Sequence, residues 1–181
     1  SDSGDEAAFL QLQKDLPGIS GVDTKTIREL ILFAINACIR RINSNLPDGE
    51  RFAFQLYSMG LDNGYLLDNG RLSRFTFNNI VALALKTGDK QRAEDFVDRY
   101  AKLLPPAYAQ STEALNRARL AFEFGRMEEA MDYLQSAKDQ EVLTTLNIRI
   151  LQMRVYHELG ENRLLDAHLD AMDIYLRRRK E

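Results

Sequence analysis

Two histidines, one cysteine and a scattering of carboxylates are the groups from which this 181-residue chain could build a reactive centre. His157 lies three residues before Gly160, and His168 lies between Asp166 and Asp170. Zinc needs several soft ligands at close range, and a thiol nucleophile needs an imidazole beside it. Two histidines and a lone Cys38 are a poor start for either. Cys38 sits in the apolar run ILFAINACIRRI and is expected to pack as a small hydrophobe. His157 is expected on a half-buried wall, packing rather than catalysing, and His168 on a solvated face beside its flanking acids. The glycines fall singly, with neither GxGxxG nor GxxxxGK[ST] to cradle phosphate. Asp62-Asn63-Gly64 and Asp68-Asn69-Gly70 lack the alternating oxygens and closing glutamate of a calcium loop, and read as turns. No catalytic residue, metal or cofactor is expected, and the chain reads as not an enzyme.

What remains is a pattern of charge. The basic residues are 17 Arg against 7 Lys, and guanidinium groups suit planar two-point contacts with carboxylates. Gly88, Gly125 and Gly160, 37 and 35 residues apart, supply a register in which the charges recur. Counting back six residues from each glycine gives Ala82, Arg119 and Arg154, and counting back nine gives Asn79, Asn116 and Leu151. Three back stand Leu85, Phe122 and His157, and two back stand Lys86, Glu123 and Glu158. Columns of this kind line one wall of stacked repeats. The expected partner-binding groove is therefore Asn79, Lys86, Asn116, Arg119, Phe122, Glu123, Arg154 and His157. Arg119 and Arg154 would take acidic side chains or a chain-terminal carboxylate. The competing reading pairs Arg119 with Glu123 and Arg154 with Glu158, each four residues further along its own helix.

The elements that must hold these columns follow from the same register. Upstream of each glycine, apolar residues recur at helical spacing in IVALAL, ARLAFEF and QMRVYHEL. The glycine ends that helix through a left-handed cap. A second amphipathic helix follows in DKQRAEDFVDRYAKLL, RMEEAMDYLQSAK and ENRLLDAHLDAMDIYLRRR. Five residues after the glycines stand Ala93, Ala130 and Leu165, and nine after stand Val97, Leu134 and Leu169; the small residue at the first of these places lets the two helices of a hairpin approach closely. Pro105 and Pro106 stop the second helix of the first pair. Ahead of these, TKTIRELILFAINACIRRINSN reads as a long helix with Ile27, Leu30, Ile31, Ala34, Cys38 and Ile42 on one side. Turn residues Asn45 to Gly49 follow, then a partner helix in GERFAFQLYSMGLDNGYLL, a loop at Asp68-Asn69-Gly70, and Ser73 as an N-cap. The expectation is an all-α chain: a segment over 1–22 with one short helix in AAFLQLQKDL, then one continuous domain over 23–181. Its hairpins fall at about 23–68, 73–105, 108–139 and 142–180.

On these columns the chain resembles the tetratricopeptide family, with Ala118, Tyr156, Ala93, Ala130 and Pro105 at places of that motif. Val81 and Met153 depart from it at the small position, and Val97, Leu134 and Leu169 at the aromatic one. The stretches LLDNGRLSRFTFNNIVALAL and EVLTTLNIRILQMRVYHELGENRLLDAHL also resemble an uncharacterised bacterial family of tetratricopeptide-like proteins. The resemblance implies a right-handed α-solenoid of antiparallel hairpins and a protein-binding role. The family's peptide-carboxylate clamp needs a lysine that is missing here, where the corresponding pairs are Asn78 with Ala82, Leu115 with Arg119 and Ile150 with Arg154.

The function expected is a scaffold that binds a peptide or a partner domain on its concave surface. The alternative is a structural or regulatory segment of a longer protein, self-associating as a homodimer through its C-terminal helix, where Leu164, Leu165, Leu169, Met172 and Leu176 lack a successor to cover them. The chain reads as a fragment of that longer protein, because no polar capping helix follows. A net charge of −3 and the lack of a basic stripe with stacking aromatics argue against nucleic acid. No apolar run is long enough for a membrane span, and the start SDSGDEAAF has no signal-peptide character, so a cytoplasmic location is expected.

Overall fold

Asp23 starts the first helix by accepting a hydrogen bond from the backbone N–H of Thr26 (3.0 Å) and another from its hydroxyl (2.6 Å). In the computed structural model, which describes residues 11, 14–15, 21–138 and 141–178, that helix is α1 (Thr24–Asn43). The short helix expected in AAFLQLQKDL lies almost wholly outside the described residues. Of the described residues 77 % are helical, so the chain is all-α. By their contacts they divide into two units, Ser1–Leu72 and Ser73–Glu181. The division falls immediately before Ser73, the residue read from sequence as an N-cap.

In the first unit α1 packs on α2 (Gly49–Asp62). Ile27, Ile31, Ala34, Ile35, Cys38 and Ile42 are the buried residues of α1, and Phe52, Ala53, Leu56 and Tyr57 are buried on α2. Burial pushes the Cys38 thiol up to about 11, so it is a packed thiol and not a nucleophile. The turn between the helices is closed by Asn45 at φ 53°, with Leu46 N–H bonded to the Arg41 carbonyl at 2.9 Å. The second helix stops at Asp62, five residues short of the stretch read from sequence, because the chain turns back at Gly64 and packs Leu66 against Gly60. A Cβ at Gly60 would stand 2.6 Å from Leu66 Cγ, so nothing larger fits there. The expected loop at Asp68-Asn69-Gly70 is a tight β-hairpin instead. Its strands β1 (Leu67–Asp68) and β2 (Arg71–Leu72) are joined by Asn69 and Gly70, both at positive φ.

Among the described residues the second unit has six α-helices. They are α3 (Arg74–Lys86), α4 (Lys90–Tyr100), α5 (Ala109–Glu123), α6 (Met127–Ser136), α7 (Val142–Glu158) and α8 (Asn162–Arg177), with a short 3-10 turn over Ala101–Leu103 before Pro105. Ser73 caps α3 through the Thr76 N–H at 3.1 Å, and Glu141 caps α7 through the N–H groups of Leu143 and Thr144. The helices pack as the pairs α3–α4, α5–α6 and α7–α8. Each pair is closed by one turn repeated three times. Gly88, Gly125 and Gly160 have φ of 75°, 76° and 71°, and the residue after each donates back five positions: Asp89 to Ala84, Arg126 to Ala121, and Glu161 to Tyr156, at 3.0, 2.8 and 2.9 Å. This is the Schellman closure, which consumes carbonyls that the helix end leaves unpaired. Beyond the pairs, the first helices also lie side by side, α3 against α5 and α5 against α7. The core between them contains Ala118, Ala121, Ala130, Leu134, Leu151 and Val155.

Because the left-handed conformation costs a residue with a Cβ about 1 kcal/mol, Gly125→Ala should destabilise the second unit by roughly that amount. Urea unfolding of the two proteins measures this. An unchanged midpoint would mean that the turn does not constrain the hairpin.

Candidate functional site

Three polar ties connect the first helices of the second unit, and they decide which of the expected groove residues are available. At the helix starts, Arg74 of α3 lies over the Tyr108 ring at 4.0 Å, just ahead of α5. The same guanidinium donates to the Thr144 hydroxyl of α7 at 3.2 Å and stands 3.8 Å from the Glu141 carboxylate. The Glu141 carboxyl is held below the usual range, chiefly by hydrogen bonds from the Thr144 hydroxyl and N–H. Thr144 is buried, so a side chain 70 residues away in sequence completes the cap of α7.

At mid-height the tie is an amide pair. Asn116 is fully buried, and its Nδ2 donates to Asn78 Oδ1 on α3 (2.6 Å) and to the Thr112 carbonyl (2.8 Å). Its Oδ1 accepts from Arg119 Nη1 at 3.3 Å. Asn116 therefore does not belong to the groove: it is spent inside, where an unpaired amide would cost about 1–3 kcal/mol. Arg119 is half-buried, and burial alone lowers its pKa.

At the helix ends, Arg154 of α7 stacks on Phe122 of α5 at 4.2 Å and approaches the Glu123 carboxylate at 3.9 Å. The competing pairings within a helix do not form. Arg154 reaches across to α5 rather than to Glu158, and Arg119 makes no ion pair with Glu123, because the packing of α7 on α5 brings Arg154 to that acid first. Glu158 has His157 Nδ1 at 3.8 Å as its neighbour.

The expected residues do not all come together. Phe122, Arg154 and His157 line an open groove of about 600 Å³ whose other walls are Ile150 and Met153 of α7 and Leu165 and Leu169 of α8. Glu123 adjoins it through Arg154. Asn79 and Lys86 are exposed on α3 and line no part of it. His157, expected half-buried, is exposed, because it projects on the open side of α7. His168, expected on a solvated face, turns inward: its ring meets Tyr156 edge-on at 5.6 Å, and its buried Nε2 has no hydrogen-bond partner. The reason is helical phase. His168 shares a face with Leu165, Met172 and Tyr175, all buried or half-buried, while its flanking aspartates point outward.

Sequence reasoning flagged Leu165 and Leu169 as uncovered but did not place them in the groove, and it missed Ile150 and Met153 there, although the register was enough to flag Ile150. Leu134 is 2 % exposed and Leu169, one repeat on, is 49 % exposed; Leu115 is 1 % exposed and its counterpart Ile150 is 47 % exposed. α7 packs on α5 and α6, and among the described residues no helix follows α8. Among the described residues no group of three or more His, Cys, Asp or Glu could hold a metal ion, and no helix is long and apolar enough to cross a membrane. No protein-family model matches the chain, and comparison with curated proteins and with solved structures gives no match.

Burial, followed by the nearby Arg149 charge, lowers the pKa of His168 below its ordinary 6.5. As pH falls from about 7.5, the unfolded chain takes up this proton before the folded one does. Stability should therefore decline from about pH 6.5 downward, in a window above the carboxylates. Urea midpoints at about pH 7.5 and pH 5.5 measure the decline, and His168→Phe should lessen it. An equal slope in the variant would remove His168 as its source.

Proposed function

We propose that this chain is a protein–protein interaction scaffold, an α-solenoid of tetratricopeptide-like hairpins that binds a peptide or partner domain on the wall formed by its first helices. The observation that carries this reading is the side-by-side packing of α3, α5 and α7, which puts equivalent residues of successive hairpins on neighbouring helices. The threefold glycine turn supports it, since identical closures repeat one geometry along a chain. The groove supports it further: Phe122, Ile150 and Met153 offer apolar contact beside the charges of Arg154 and Glu158, which is the mixture that protein partners use. No catalytic role is assigned.

The test is affinity capture from native extract with the wild-type chain and with Ile150→Glu, which puts a charge into the groove at an exposed position. Asp132→Ala on the exposed face of α6 is the control. Retention of a protein by wild type and control, with a loss of about tenfold or more for Ile150→Glu at unchanged helicity, is the expected result. Equal retention by all three, or none by any, would defeat the reading.

A second reading is favoured by the uncovered last hairpin. Leu143, Ile150, Leu159, Leu164, Leu169, Ile174 and Leu176 are all exposed on α7, α8 and the turn between them, a concentration of apolar surface that soluble monomers seldom carry. On this reading the chain self-associates through α8. Sedimentation should then show a concentration-dependent dimer that Leu169→Asp weakens. A strict monomer at high concentration would count against it.

A further inference from the structure

Asparagine followed by glycine occurs twice in the chain, at Asn63-Gly64 and Asn69-Gly70, and the fold treats the two pairs differently. In such a pair the backbone nitrogen of the glycine can close a five-membered ring on the asparagine Cγ, since glycine has no Cβ to obstruct the approach. The reaction needs a nitrogen not committed to a hydrogen bond, a side-chain amide free to turn, and room for the ring and for water. At Asn63 the first two are missing. Gly64 N–H donates to the Leu61 carbonyl at 3.0 Å, and Asn63 Nδ2 donates to the Met59 carbonyl at 2.9 Å. Both bonds close the C-terminal end of α2, so freeing them frays the helix. At Asn69 all three conditions are met. Gly70 N–H makes no hydrogen bond among the described residues, and the Asn69 amide has only a long contact, 3.5 Å, with the Asp68 carboxylate. Both residues are exposed, and a Cβ on Gly70 would meet nothing within 4 Å. The strands around them are two residues each, tied further by a 3.6 Å ion pair from Arg28 to the exposed Asp68. A ladder that short opens at little cost, and opening lets the backbone swing the Gly70 nitrogen onto the Asn69 Cγ.

We propose that Asn69 is a self-modification site, at which the chain converts its own asparagine to aspartate and isoaspartate with water as the only co-reactant. The Gly70 nitrogen gives its proton to solvent base and bonds to the Asn69 Cγ. The Cγ–Nδ2 bond breaks, the departing nitrogen takes a proton from water, and ammonia leaves behind a cyclic imide. Water then opens the ring at one of its two carbonyls. Breaking the new N–Cγ bond gives aspartate. Breaking the original peptide C–N bond gives isoaspartate, whose main chain runs through the former side chain. Both products put a second negative charge beside Asp68, where it competes for Arg28. Isoaspartate also adds a methylene to a two-residue loop, so the Leu67–Leu72 register is lost. The change falls next to the buried Leu72, immediately before the Ser73 cap. This chemistry needs no partner and is independent of the scaffold reading.

The experiment incubates the full chain at mildly alkaline pH in water enriched in heavy oxygen, folded in one sample and unfolded in guanidinium chloride in another. Peptide mass spectrometry follows Asn63 and Asn69 separately, and methyl transfer by an isoaspartyl methyltransferase counts the isoaspartate. The unfolded chain is the reference, with both bare pairs reacting. Folding should slow Asn63 by about tenfold or more relative to Asn69, because Asn63 reacts only after its helix end opens. Conversion at Asn69 should accelerate as pH rises, since the attacking nitrogen is deprotonated, and each product should carry one heavy oxygen. Asn69→Gln, whose longer side chain would need a six-membered ring, should stay unmodified at that position. A smaller difference between the two sites, or one of opposite sense, overturns the proposal. So does a folded Asn69 that stays intact over the time in which the unfolded chain reacts, or a product without heavy oxygen.

Discussion

The hydrogen bond that runs back five residues at each glycine turn is the constraint on which the second unit depends. It satisfies a helix-end carbonyl and at the same time directs the chain back along the helix just completed. Because Gly88, Gly125 and Gly160 make the same closure, the three helix pairs start from the same geometry. Ala93 and Ala130, five residues after their glycines, are fully buried where the two helices approach. At Leu165 the larger side chain occupies that place and is only half-buried. With the pairs set, α3, α5 and α7 become neighbours, and side chains far apart in sequence come within hydrogen-bonding distance.

The three ties between those helices differ in kind and in consequence. The Asn78–Asn116 amide contact is buried, so each partner is costly to lose and the contact confers specificity of register more than net stability. The Arg74 cluster is intermediate, combining a ring face, a hydroxyl and a long ion pair at the starts of the helices. The Arg154 tie is exposed and contributes at most about 1 kcal/mol as an ion pair. By occupying Glu123 it leaves Arg119 without an acid, and so determines where positive charge remains available on the wall.

Equivalence between the hairpins ends at the last one. Leu115 and Leu134 are core residues because α7 packs over their faces, whereas Ile150 and Leu169 occupy the same columns without such a neighbour. The groove is the space left between α7 and α8 by that difference. It explains why aliphatic residues that look like core by their spacing are surface in the fold. It also explains why the polar side chains of Arg154 and His157 stand beside apolar walls.

Much of this was determined by the sequence alone. The glycine register, the amphipathic flanks and the Ser73 cap are local signals, and helix pairs with those boundaries follow from hydrogen-bond geometry within a few residues of each glycine. The β-hairpin at Asn69-Gly70 was also legible as an Asn-Gly turn between short apolar runs, though it was read as a loop. Only the tertiary structure decided the roles of the polar residues. Asn116 and Arg119 sit one turn apart on α5 and look alike as groove candidates, but the former faces Asn78 and disappears into the core. His157 and His168 exchange their expected environments for the same reason, since a helical period of 3.6 residues places a side chain within a face but does not say which neighbour will cover that face. Which acid neutralises which arginine was likewise beyond the sequence. Glu123 is four residues from Arg119 along the chain, yet it is Arg154, 31 residues away, that the packing of α7 on α5 brings to it.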